Sequence, residues 1–168
     1  MLVYHAAVDM NHARFRLIYL LELHLNHRLA FDLLRILDFY FLFPHLLGNV
    51  RLARNMTRQK RQFAERASKH NRVPSPKLLI RQMQGIHETA VRALMADGLV
   101  AAEPFELQIV ERSAKPVPDG LRKVFESQPE AERSLASFLA TELAKIPLNG
   151  PDGLKARTGL LEHRYDPE

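Results

Sequence analysis

Apolar residues crowd the first third of this chain without leaving a clean polar stripe. Leu17-Ile-Tyr-Leu-Leu21 is apolar on nearly every side, so a helix running from about Asp9 or Asn11 to His24 must be covered by neighbours all round. Asn26 to Arg28 predict a turn. A second helix follows from about Leu29 to Phe43, where Pro44 stops it. Five aromatic residues between Phe31 and Phe43 put this helix at the centre of the core. Asp32, Arg35 and Asp38 recur at i, i+3 and i+6, which lets Arg35 pair with either acid.

The pattern then changes character. Residues Val50 to His70 lack Gly and Pro, and Arg51, Arg54, Arg58 and Arg61 recur at helical spacing, with Met56 and Phe63 on another face. Val73-Pro-Ser-Pro76 breaks the chain, with Ser75 as N-cap and Pro76 at the first helical position. Short helices over Lys77 to Gln84 and Ile86 to Ala96 follow, ended by Gly98 as a left-handed cap. Leu99-Val-Ala reads as a short strand, Ala102-Glu-Pro-Phe as a turn and Glu106 to Glu111 as an alternating strand. Two helices and then a hairpin describe a winged helix. Further helices are expected over Leu121 to Ser127 and Pro129 to Lys145, before Asn149-Gly-Pro-Asp-Gly153 delivers the chain to its tail.

The expected fold class is therefore mainly α, with a helical N-terminal half, a winged-helix module carrying a short β-hairpin, and C-terminal helices. Residues 1–50 form a hydrophobic helical region, 51–72 a basic helix, 73–112 the winged-helix module, and 113–168 the C-terminal helices with a basic docking tail. At 168 residues these make one compact unit.

Charge sharpens the picture. Eight cations between Arg51 and Arg72 face Glu65 alone, a local sum of +7 in a chain whose net charge is +5, so the remainder sums to −2. Any acidic partner is to be sought at that segment. Four guanidinium groups in line can neutralise consecutive phosphates, so Arg51, Arg54, Arg58, Lys60 and Arg61 are candidate DNA contacts. A solvated face or an acidic protein partner would use the same residues. The helix over Ile86 to Ala96 offers His87, Glu88, Thr89 and Arg92 outward, a poor base-reading set that favours protein contact over sequence-specific DNA reading.

Enzyme motifs are missing. The chain has no glycine-rich phosphate loop, no HExxH and no nucleophile elbow. With no cysteine, thiolate zinc sites and disulfides are excluded, and a reducing cytoplasmic setting is expected. His5, Asp9 and His12 fall at i, i+4 and i+7, a spacing a metal could use, but no fourth ligand is evident and helix capping is the commoner role. No metal and no cofactor is assigned. Tyr4 to Asp9 predict no signal peptide, and charges from Arg16 to Asp38 leave no window of about 18 uncharged residues for a membrane span.

The tail, Gly153-Leu-Lys-Ala-Arg-Thr-Gly-Leu-Leu-Glu-His-Arg-Tyr-Asp-Pro-Glu168, carries three cations, two glycines, a Leu-Leu pair and a tyrosine. A terminus with so much to bind is expected to dock, on its own domain or on a partner. Lys155, Arg157, Arg164 and Tyr165 are its candidate partner contacts.

Three segments resemble the middle component of bacterial ABC-three-component systems: Tyr4-His5 with Asp9, His12 and Phe15-Arg16; Arg35-Ile-Leu-Asp-Phe-Tyr-Phe-Leu-Phe-Pro44; and Gly153 to Asp166. One departure is His163, where an aromatic ring of another kind is expected. The resemblance implies a subunit encoded beside an SMC- or Rad50-type ATPase and an effector, often a nuclease, as in Lamassu antiphage defence complexes. It implies a scaffold without activity of its own, with DNA contacted through the complex and no membrane association. The rival from another class is a free-standing winged-helix transcription regulator.

Overall fold

A computed structural model describes residue 7 and residues 9–66 and 72–162. Helix α1 (Met10–Leu23) starts where the Asp9 side chain accepts the His12 amide at 2.9 Å. Leu17, Ile18, Leu20 and Leu21 are all within 1% of complete burial. A helix apolar all round has to be surrounded, and α1 is: it packs on α2 (Phe31–Leu42), on α5 (Gln84–Ala96) and on α8 (Glu130–Ser137).

Between α1 and α2 lies a strand where the sequence predicts the end of a turn and the first residues of a helix. β1 (Arg28–Ala30) pairs antiparallel with β2 (Ile109–Glu111), with Leu29 opposite Val110. The expected hairpin survives only in part. Residues 99–101 meet the far side of β2 through a single bridge, Val100 to Arg112, and the Ala101 amide donates to the Glu111 carbonyl. Residues read as a turn and as the start of a strand are instead the short helix α6 (Ala102–Glu106). Pro104 is tolerated there because amides in the first turn have no intrahelical acceptor.

The basic stretch is not one helix. Residues 51–53 are extended, Arg54–Met56 form a 3-10 turn, and α3 (Thr57–Ala64) begins only then. The Val50 carbonyl takes the Lys60 ammonium at 2.6 Å and the Arg51 carbonyl takes Arg157 at 2.7 Å, so backbone acceptors there serve side chains. Met56 and Phe63 point inward, and Phe63 packs on Phe138 with ring centroids 5.3 Å apart. A Cβ on Gly48 would lie 3.3 Å from that of Ala64, so α3 sits close on the 3-10 turn Pro44–Asn49.

Helix α4 (Pro76–Gln82) has the expected Ser75 cap and Pro76 start. Gly98, at φ 74°, ends α5 as predicted. α7 (Asp119–Glu126) rests on α1 through Phe125, which stacks on Tyr19 at 4.9 Å. The helix expected to reach Lys145 does so in three geometries: α8, a π-helical turn over Phe138–Glu142, and a 3-10 turn over Leu143–Lys145. The Ala140 carbonyl within the π turn accepts from His24 Nδ1 at 2.8 Å, so a side chain from the end of α1 holds the irregularity.

Candidate functional site: a buried ionic lock and an unpaired arginine surface

Arg16, Asp38 and His87 arrive from α1, α2 and α5 and meet at the centre of the fold. Asp38 is completely buried. Arg16 grips it with Nε at 2.6 Å from Oδ1 and Nη2 at 3.0 Å from Oδ2. His87 Nε2 lies 2.9 Å from Oδ2, and since a carboxylate can only accept, this nitrogen carries the proton. Burial alone would raise the Asp38 carboxyl; the Arg16 guanidinium and the His87 hydrogen bond outweigh it and hold the group below its ordinary range. The spacing let Arg35 pair with either Asp32 or Asp38, and the structure takes the first; His87, expected to face outward, is a correction. Arg35 bonds Asp32 at 3.0 Å and the Ile80 carbonyl at 3.2 Å, while His87 is fully buried. The physical reason is rotational: α2 is surrounded, so Asp32 and Asp38, six residues apart, face different neighbours.

The tail docks on its own domain as far as the structure describes it. α9 (Leu154–Thr158) inserts Leu154 into the core. Lys155 is buried, with its ammonium 3.3 Å from Asp32. Arg157 donates to the carbonyls of Asp152 and Arg51. Gly153 is obligatory at the entry, because a Cβ there would lie 2.2 Å from the Asn149 carbonyl oxygen. Arg164 and Tyr165, like His5, fall outside the described residues.

The DNA candidates divide. Arg51 is exposed but paired with Asp152 at 2.9 Å, and Lys60 is half-buried on the Val50 carbonyl. Arg54, Arg58 and Arg61 are exposed and have no acidic partner among the described residues. Because Arg54 belongs to a separate 3-10 turn, only Arg58 and Arg61 share one helix. On α5 the outward set shrinks to Thr89 and Arg92, with Glu88 half-buried and bonded to Gln84. Arg92 itself lies over the Phe105 ring at 5.5 Å. Among the described residues no group of histidine and carboxylate side chains could hold a metal, and no helix is long and apolar enough to cross a membrane.

The family model described as "ABC-three component (ABC-3C) system Middle Component 5" matches residues 2–166. The chain belongs to that family. No curated protein and no solved structure matches it. In this middle component the segments that carry the family likeness are architectural where they are described. Asp9 starts α1, Arg16 locks onto Asp38, Arg35 holds Asp32, and Gly153 to Arg157 clip the tail across α2 and the Arg51 loop. The fold is thus what those segments encode. Sequence reasoning missed the Arg16–Asp38–His87 cluster, whose members lie 22 and 49 residues apart; Asp38 in the apolar run of α2 was the one signal, and nothing around His87 marks it as buried.

Proposed function

We propose that this chain is a non-catalytic scaffold in an SMC-like ABC ATPase antiphage defence complex, linking the ATPase to an effector nuclease and contacting DNA through Arg54, Arg58 and Arg61. Membership of a middle-component family carries the scaffold role. The three exposed arginines, which have no acidic partner among the described residues, support the DNA contact. The buried polar groups fit a structural role, since His87 and Asp38 bond each other and Arg16 rather than opening onto a cleft. The winged-helix module of this reading spans residues 73–112, with α4, α5, residues 99–101 and β2, and β1 from residues 28–30 supplies the strand that pairs with β2. The small exposed set on α5 favours protein contact over base reading.

The test has two parts. The wild-type chain, co-expressed with its neighbours, co-purifies with a large ATPase; a solitary homodimer with sequence-specific DNA affinity would instead identify a free-standing regulator. Changing Arg54, Arg58 and Arg61 together to Glu weakens DNA binding by the assembled complex and flattens its salt dependence, by about 0.9 in log–log slope per lost phosphate contact. Unchanged affinity removes the DNA contact and leaves the scaffold role standing.

A further inference from the structure

A cavity of about 540 Å³ among the described residues has neither the ionic lock nor the exposed arginines in its lining. It opens between the first half of α1, the end of α5 and the start of α7. Its floor is apolar, formed by Phe15, Ile18, Leu94 and Leu121. Arg14, Asp97 and Lys115 stand at its rim.

Two features say what fits there. The first is exposed apolar side chains on two of the helices that line the cavity. Met10 on α1 is 38% exposed and Val124 on α7 is 43% exposed, and α7 has no fully buried residue. A small molecule filling the cavity would leave that surface wet, whereas a polypeptide lying across it would cover it. The second is charge. Arg14 is paired with the Asp97 carboxylate, but among the described residues the exposed Lys115 ammonium has one acceptor, the Asp97 main-chain carbonyl at 2.6 Å, and no carboxylate. An ammonium has three donors, so two remain for an incoming group, and the rim carries one uncompensated positive charge.

We propose that this cleft seats another component of the three-component system: a segment that inserts a large apolar side chain between α1, α5 and α7 and sets a carboxylate against Lys115. The proposal rests on the scaffold reading and gives it a surface. An apolar anchor in a pocket with a charged rim is the arrangement in which a few residues carry most of an interface's affinity.

The experiment uses the full chain and the other two components of its own system. Ala96, exposed at the end of α5, lines the cleft, so Ala96→Trp fills it from the solvent side and Lys115→Glu reverses the rim charge. Affinity for each purified component is measured with both variants, with Lys145→Glu, at an exposed residue that does not line the cleft, as a control. The expected result is a loss of at least about tenfold with Ala96→Trp and a smaller loss with Lys115→Glu, for the same component, at unchanged melting temperature. A photo-crosslinking residue at position 96 in the assembled complex gives a readout independent of stability, and it should capture that component. If the wild type binds and both variants bind within about twofold, or no crosslink forms, the cleft is not the docking site and the scaffold reading survives. If the wild type binds neither component, the scaffold reading itself fails. A small molecule retained by the isolated chain and displaced by Ala96→Trp would overturn the proposal in favour of a ligand pocket.

Discussion

Arginine is used in opposite ways in the two halves of this molecule. In the α1–α2–α5 core, Arg16 and Arg35 are 5% exposed, and each is held by an acid on α2. In the segment between α2 and α4, Arg54, Arg58 and Arg61 lie on the surface with no acid paired to them among the described residues. The guanidinium group is the same; its partners are not. A buried guanidinium has to be matched before the chain can fold, so its charge is consumed in fixing how three helices sit. An exposed one contributes little to stability and keeps its donors for something outside the chain.

The sharpest way to break this contrast is Asp38→Ala. It takes away the buried carboxylate that Arg16 grips at two points and leaves His87 Nε2 without its acceptor, so a loss of about 3–5 kcal/mol is expected from denaturant unfolding. The same carboxylate gives a pH signature. Its pKa is depressed in the folded state, so its contribution is fully present above the ordinary carboxylate value of 3.8 and is lost as pH falls through the lower folded value. Stability should therefore drop on acidification below about pH 4, and the drop should be shallower in Asp38→Asn. A pH-independent difference between wild type and Asp38→Asn would show that the ionised carboxylate is not what binds the three helices.

Next in size is Gly153→Ala. Its Cβ would meet main-chain oxygens of Asn149 and Leu148 at 2.2 and 2.7 Å, so the loop must shift and α9 must unseat. About 1–3 kcal/mol is expected, as for other forced overpacking, with proteolysis of the tail as an added readout. Ser75→Ala should cost about 1 kcal/mol through loss of the cap on α4, measured by thermal melting. At the bottom of the range, Arg58→Glu should change stability by no more than about 0.5 kcal/mol. A large loss there would mean that the outer arginines are as structural as the inner ones, and the contrast would collapse.

What could be read from sequence follows the same division. Local signals held: Asp9 and Ser75 as caps, Pro76 at a helix start, Gly98 at a helix end, and the all-round burial of residues 17–21. Each depends on chemistry within a few residues. The errors came where distant chain segments decide. A three-residue strand at Arg28–Ala30 has too little pattern to announce itself, and its partner is far along the chain. The basic stretch kept its arginine spacing on paper, but Arg51 was drawn out of helix by contacts with Asp152 and Arg157. Likewise, periodicity put Asp38 on a face with Arg35, and only the approach of α1 and α5 shows why it belongs to Arg16 and His87.

The little sheet has a consequence for how the polypeptide is born. Arg28 and its opposite number Glu111 are 83 positions apart. At translation speeds of about 5–20 residues per second, β1 waits roughly 4–17 s for its mate to be synthesised. For most of that interval α1 and α2 have only each other to pack on, since α5 is completed late in it and α8 after it, so the ribosome-bound intermediate is the moment at which a chaperone or a co-translating neighbour has most to offer.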